Sequence, residues 1–155
     1  GQKLAKISNT PGKTTILNFF EADAFRFVDM PGYGYAARGR SQVDSWKPMI
    51  ETYMKSRECL VGIVLVMDSR RDWQEEEATL VDWFESQNLP FVVALSKTDK
   101  LNRKERNQRE KSIFQNLSKD LTFWTSTMER ESVEILLDFL IDNWIRERIK
   151  VARDD

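Results

Sequence analysis

The sequence predicts an α/β fold of the doubly wound type, in which a mostly parallel sheet lies between two layers of helices. Two observations carry this prediction: strand-like and helix-like segments alternate along the chain, and residues 60–67 and 91–95 are apolar throughout. Alternation of this kind implies right-handed crossovers between parallel strands. Uninterrupted apolar segments are typical of strands that are buried on both faces.

The predicted sheet begins with a hairpin. Residues 14–20 are rich in β-branched and aromatic side chains, which favours a strand, and residues 24–28 predict a second one. Residues 21–23 form the turn between them, so the hairpin adds one antiparallel edge strand. Pro and Gly within residues 31–35 predict a loop. Apolar residues within 41–56 recur at helical spacing and predict the first helix.

Capping patterns and apolar periodicity predict the elements of the second half. Asp72 can cap a helix, with Glu75 reaching back to its backbone, and Asn102 with Glu105 repeats the pattern. Residues 121–125 form a short predicted strand. The last predicted helix is long and amphipathic, because its apolar residues recur every three or four positions.

Composition narrows the classes of function. The 155 residues suit one domain, and 24 Lys and Arg against 25 Asp and Glu argue against bulk nucleic-acid binding. The absence of His excludes Ser-His-Asp and Cys-His catalysis and His-ligated zinc. The lone Cys59 excludes a disulfide scaffold and, lying in an apolar run, is expected in the core of a cytoplasmic protein. That run is too short for a membrane span.

Two polar motifs follow predicted strands, where ligands bind in doubly wound sheets. Asp29–Gly32 fits D-x-x-G, in which the carboxylate can hold a Mg²⁺-bound water and the glycine amide can approach a terminal phosphate. Ser96–Asp99 approximates the N/T-K-x-D guanine reader, whose aspartate accepts two N–H bonds from the base. Taken alone, an ordinary turn and a solvated loop are the alternatives.

A third motif does not form a Walker A loop. Gly12-Lys13-Thr14 has the right final residues, but the first glycine of G-x-x-x-x-G-K-S/T is replaced by Ile7. A strand-like segment follows it, where the Walker A loop requires a helix. The tripeptide is therefore predicted to be a loop that enters a strand.

The order of these motifs resembles the EngB (YihA/YsxC) family of bacterial GTP-binding proteins. The resemblance rests on T-P-G-K-T at Thr10–Thr14, N-F-F at Asn18–Phe20 and V-D-M-P-G-Y-G-Y-A at Val28–Ala36. It extends over essentially the whole chain. It implies a P-loop GTPase fold that binds GTP and GDP with Mg²⁺, and it is compatible with a supporting K⁺.

The resemblance also implies roles for residues. The nucleotide-contacting switch segment would be Gly12, Lys13, Thr14, Thr15 and Ile16, with the Thr14 hydroxyl bound directly to Mg²⁺. Asp29 would contact Mg²⁺ through water. Together with Met30, Pro31 and Gly32, it would form the segment that responds to Mg²⁺ and the γ-phosphate. Guanine would be selected by Ser96, Lys97, Thr98 and Asp99, and backed by the main chain of Trp124, Thr125 and Ser126. The catalytic residues stay unassigned.

The chain departs from the family pattern at three places. Ser96 replaces the usual Thr or Asn, and Trp124–Ser126 replaces a Phe-Ser-Ser type turn. The family's first strand, phosphate loop and first helix do not precede Thr10. Residues 1–155 are therefore expected to form a single G domain that is incomplete at its N-terminal side.

The implied activity is hydrolysis of GTP to GDP and phosphate. Tyr33 follows D-x-x-G, where many related GTPases carry a glutamine, so intrinsic hydrolysis is expected to be slow. The resemblance implies a monomeric switch in assembly of the large ribosomal subunit, linked to cell division and septation, with rRNA and not DNA as partner. Residues 100–111, with six basic and two acidic side chains, could meet RNA phosphates or form a solvated helix face. Another translation-related GTPase and a non-hydrolysing pseudo-GTPase scaffold are the alternatives.

Overall fold

The computed structural model describes residues 17–22, 25–30, 48 and 50–146. They fall into two compact units, one up to Leu60 and one from Val61 onward. The predicted loop at 31–35 and the first part of the predicted helix at 41–56 lie outside the described residues.

The first unit contains the predicted hairpin. Strand β1 (Asn18–Ala22) pairs with β2 (Phe25–Asp29) in antiparallel register, with Ala22 opposite Phe25. The strand therefore runs through Glu21 and Ala22, which were wrongly predicted as turn. A cross-strand ion pair of 2.9 Å between Glu21 and Arg26 extends the ladder to this end of the hairpin.

A helix packs against this hairpin. Residues 50–56 are helical (α1), and Met54 of α1 is buried. The ring of Tyr53 meets that of Phe19 of β1 edge-on, with centroids 6.1 Å apart. The chain then turns at 57–60, where the Leu60 N–H donates to the Arg57 carbonyl. Cys59 lies exposed in this turn, so its predicted core position is wrong.

The second unit is built on three parallel strands. They are β3 (Ile63–Asp68), β4 (Phe91–Ser96) and β5 (Thr122–Trp124), in the spatial order β3-β4-β5. Asp68 pairs with Ser96 and Leu95 with Trp124, so all three strands end at the same edge. The central strand β4 has its first five residues buried, as its apolar sequence predicts.

Helices cover both faces of this sheet. The helices are α2 (Glu75–Ser86), α3 (Arg103–Ile113) and α4 (Arg130–Leu140), the last continued by a π-helical turn (Ile141–Ile145). Phe123 of β5 packs on Phe139 of α4, whereas its neighbour Trp124 lies under Arg106 of α3. Successive strand residues point to opposite faces. The predicted doubly wound arrangement is therefore confirmed.

The two predicted capping pairs had different outcomes. Asn102 and Glu105 form a reciprocal capping box at α3, as predicted. Helix α2 instead begins after Gln74, whose N–H donates to the Glu77 carboxylate at 2.9 Å, so the predicted cap at Asp72 is wrong. Asp72 is ion-paired with Arg109 of α3, and this pair takes the carboxylate away from the helix end.

Candidate functional site

Two loops meet where β4 and β5 end. The backbone N–H and the hydroxyl of Thr98 both donate to the Thr125 carbonyl, at 3.3 and 3.1 Å. The Thr125 N–H donates in turn to the Leu95 carbonyl at 2.8 Å. Thr98 and Thr125 are each only 7% exposed. These bonds fix the S-K-x-D loop against the T-S turn, two segments that sequence analysis had placed at the same site.

Asp99 is held at this junction with part of its acceptor capacity free. Its Oδ1 accepts a 2.6 Å hydrogen bond from the Ser126 hydroxyl, and its Oδ2 lies 3.0 Å from the Lys100 ammonium. The Ser126 bond, followed by that of Lys100, holds the pKa of Asp99 below its usual range. A carboxylate offers about four lone-pair sites. The bonds from Ser126 and Lys100 therefore leave part of this capacity for the N–H groups of a ligand.

Ser126 is itself fixed from the other side. It is 1% exposed, its hydroxyl oxygen accepts from the Met128 N–H at 3.1 Å, and its N–H donates to Ser132 Oγ at 2.9 Å. The hydroxyl proton is therefore directed to Asp99. Sequence analysis gave Ser126 a main-chain role only, and the structure adds this side-chain role.

Lys97 occupies a strained backbone conformation beside Asp99. Its φ of 62° and ψ of 34° lie in the left-handed region, which costs a residue with a Cβ about 1 kcal/mol. Its ammonium donates to Asp68 Oδ2 at 3.0 Å, while its side chain is 56% exposed. Strain of this kind persists where neighbouring contacts hold the residue, as they commonly do at binding sites.

Asp68, at the end of β3, anchors Lys97. Its Oδ1 accepts from Arg70 Nε at 2.9 Å and from the Arg70 backbone N–H at 3.1 Å, and its Oδ2 accepts from Arg70 Nη2 at 2.7 Å. Together with Lys97, these bonds hold the pKa of the carboxyl well below its usual range. Sequence analysis assigned Asp68 no role. The available signal was its position, since a carboxylate at the end of β3 reaches the same sheet edge as Ser96.

Two other predicted residues support the site from the sheet. The Ser96 hydroxyl donates to the Met67 carbonyl at 3.0 Å and ties the ends of β3 and β4 together. The Trp124 ring lies under the Arg106 guanidinium, 4.8 Å from its centroid. Their side chains thus position the loops, and a main-chain contact of Trp124 with a base stays a prediction.

The predicted phosphate and Mg²⁺ residues are only partly covered by the described ranges. Gly12, Lys13, Thr14, Thr15, Ile16, Pro31 and Gly32 lie outside them. Asp29 ends β2 with an exposed carboxylate, 3.5 Å from the Asn18 amide nitrogen, and Met30 follows it. Within 17–22, 25–30 and 50–146, no group of three or more potential metal ligands occurs.

Comparison with known proteins identifies the family. A family model described as a 50S ribosome-binding GTPase matches residues 1–97. A protein of Bdellovibrio bacteriovorus named "Probable GTP-binding protein EngB" is 42% identical over 146 residues, which are 94% of this chain and 73% of that protein. This chain belongs to the EngB family of GTP-binding proteins. The resemblance stated from the sequence motifs is thereby confirmed, together with the P-loop GTPase type of α/β fold.

Further relatives carry the same name. The protein of Pelotomaculum thermopropionicum is 38% identical over 148 residues, covering 93% of this chain and 74% of its own length. That of Syntrophus aciditrophicus is 41% identical over 118 residues, which are 76% of this chain and 60% of that protein.

GTP binding and, in general terms, GTP hydrolysis follow from the family. Within the described part of the chain, no helix has the length and apolar character that a membrane crossing requires.

Proposed function

We propose that this protein is a slow, Mg²⁺-dependent GTPase that selects guanine through Asp99 and acts as a switch in assembly of the large ribosomal subunit. The observation that carries the proposal is the Asp99 carboxylate, fixed by Ser126 and Lys100 at the junction of the two loops. Guanine presents two adjacent N–H donors on one edge. Adenine presents a ring acceptor in place of one of them, so it cannot satisfy both oxygens.

Lys97 completes the base site in this proposal. With its ammonium bound to Asp68, the aliphatic stem of Lys97 is held in one direction and can lie against a base plane. The main chain of Trp124, Thr125 and Ser126 backs the base from the neighbouring loop. The bonds of Thr98 to the Thr125 carbonyl support this role, because they keep the two loops at a fixed separation.

The phosphate side of the site is proposed from the motifs. Thr14 would bind Mg²⁺ directly and Asp29 through water, with residues 12–16 and 30–32 around the phosphates. Mg²⁺ neutralises charge on the transferred phosphoryl group when bound. Asp29 suits this role, since its carboxylate is exposed at a strand end, 3.5 Å from the Asn18 amide nitrogen. Tyr33 lacks an amide to orient water, which supports slow hydrolysis. A supporting K⁺ stays a prediction.

The biological setting is proposed from the family. The description of the matching family as a 50S ribosome-binding GTPase supports association with the large ribosomal subunit or its precursor. We place the protein in the cytoplasm as a monomer with rRNA as partner, and we link it to cell division and septation. The single cysteine is compatible with that compartment.

Nucleotide competition tests the base site. A fluorescent GDP analogue should bind the protein and be displaced by GDP and GTP at concentrations at which ADP has no effect. Equal displacement by ADP, or no binding of the analogue, would refute guanine selection by Asp99. Turnover of GTP should require Mg²⁺ and stop with EDTA. Guanine-selective binding without any turnover, with and without large subunits, would instead support the non-hydrolysing scaffold.

A further inference from the structure

The cations of helix α3 divide into two sets. The first set is committed to contacts within the protein. Arg106 lies over the Trp124 ring and 3.6 Å from the Glu110 carboxylate, and Arg109 is ion-paired with Asp72. These two side chains fix α3 to the rest of the second unit.

The second set faces solvent and is not neutralised. Its three cations lie on the exposed side of α3 together with two amide side chains, and all five residues are exposed: Arg103, Lys104, Asn107, Gln108 and Lys111. We call this set the α3 basic face. Among the described residues, no carboxylate lies within ion-pair distance of its three cations. The two acidic residues of α3 are engaged elsewhere, Glu105 in the N-terminal cap and Glu110 with Arg106.

The spacing of the α3 basic face suits a repeating anionic chain. Residues 103, 107 and 111 lie four apart, which places them on one stripe at steps of about 6 Å along the axis. That step is similar to the separation of neighbouring phosphates along a nucleic-acid strand. Arg can hold a phosphate with two parallel bonds and Lys can hold one as a point charge. Arg103 and Lys111 lie at the two ends of this stripe, about 12 Å apart along the axis, with Lys104 next to Arg103. The cations therefore suit alternate phosphates of a strand better than a single compact anion.

The two amides favour RNA over an acidic protein segment. The side chains of Asn107 and Gln108 both donate and accept hydrogen bonds, and a ribose 2′-hydroxyl can do the same. The carboxylate side chains of an acidic peptide only accept hydrogen bonds, and the cations alone would satisfy them. No aromatic residue occurs within 103–111, so the face offers no platform for base stacking. Contact would be with the sugar-phosphate backbone and independent of base sequence.

We propose that the α3 basic face is the surface through which this protein contacts RNA backbone in the large ribosomal subunit. The inference rests on the ribosome association proposed above. The face starts three residues after Lys100, and its helix is fixed by Arg106 to the strand that precedes Thr125 and Ser126. The α3 basic face therefore lies on a helix that is attached both to the S-K-x-D loop and to the T-S turn.

The test neutralises the face and compares it with a charge-matched variant. The triple variant R103Q/K104Q/K111Q removes three positive charges from exposed helix positions with a residue that helices accept. The control, K55Q/K119Q/R130Q, removes the same charge from exposed positions elsewhere. Both variants should keep the GDP affinity of the parent protein, which shows that they fold.

Binding is measured to purified large subunits and to an isolated rRNA fragment, each over a range of salt concentrations. The triple variant should lose at least about tenfold in affinity near 0.15 M salt, with the slope of log K against log salt reduced by about 2. The control should stay within about twofold of the parent. Retained binding by the triple variant, or equal loss in the control, overturns the inference.

Two further outcomes separate the inference from the proposed function. If the parent binds the rRNA fragment through this face but does not bind subunits, the face binds RNA, but the ribosome association and the assignment of the face to the large subunit both fail. If the parent binds subunits and the triple variant binds them equally well, only the inference fails. Displacement of the rRNA fragment by polyglutamate as effectively as by unrelated RNA would show a general anion surface and overturn the assignment to RNA.

Discussion

Replacing Asp68 by Asn tests the anchoring of Lys97. In the parent protein, the Lys97 ammonium and three Arg70 donors converge on the Asp68 carboxylate, which is only 19% exposed. Asn keeps the shape but loses the charge and one acceptor, so Lys97 is released. GDP must then order a free lysine side chain, which costs up to about 2 kcal/mol.

The expected magnitude is smaller than that limit. The Lys97 side chain is 56% exposed and keeps part of its freedom in the parent protein. We therefore expect a loss of about 1 kcal/mol, which weakens GDP binding roughly five- to tenfold. Titration with a fluorescent GDP analogue measures it, with Asp82→Asn on the exposed side of α2 as control. The preference for GDP over xanthosine diphosphate should not change, because Asp99 is untouched.

Affinity of Asp68→Asn within twofold of the parent would refute the anchoring role. A loss of affinity accompanied by a changed base preference would also contradict it, because that result would mean that Asp68 acts on Asp99. Unfolding by urea, followed in parallel, separates loss of the anchor from loss of the fold.

Three further predictions follow from the same contacts. Ser126→Ala removes a hydrogen-bond donor from Asp99, so the pKa of Asp99 should rise towards its usual value in a carboxyl NMR titration. The affinity for GDP should fall about fivefold, the equivalent of one hydrogen bond. Gly62→Ala places a Cβ 2.5 Å from the Trp144 indole and should lower the free energy of unfolding in urea by about 1–3 kcal/mol, with unchanged stability as the contrary result. The difference in unfolding free energy between the parent and Asp68→Asn should be constant from pH 7 to about 5 and shrink below about pH 4. The folded-state pKa of Asp68 lies below its unfolded value of 3.8, so the stability that the ionised carboxylate contributes is lost as the pH falls. A difference that grows on acidification would contradict this.

Local signals were read correctly from the sequence. The cap of α3 depends on Asn102 and Glu105, which are three residues apart and whose side chains each accept from the other's backbone N–H. Strand β4 follows from a continuous apolar segment, and the S-K-x-D motif is contiguous. In each case the deciding interactions lie within a few residues, so that sequence spacing is sufficient to predict them.

Signals that depend on distant residues were missed. Asp72 fails to cap a helix because Arg109, 37 positions away, pairs with it. Asp68 and Lys97 are 29 residues apart and meet only through the parallel register of β3 and β4. Cys59 belongs to an apolar run, but composition does not show that a turn exposes it. The residues of the candidate base site were therefore proposed from sequence, whereas the contacts that support them required the fold.

The central claim is that Asp99 selects guanine, and Asp99→Asn tests it most directly. The amide replaces one acceptor oxygen by an N–H₂ donor, which matches the extra carbonyl of xanthine and opposes the N–H of guanine. The affinity for GDP should fall by at least about tenfold while that for xanthosine diphosphate rises, and Asp82→Asn should change neither. Unaltered preference for GDP in Asp99→Asn would contradict the assignment of this carboxylate as the reader of the base.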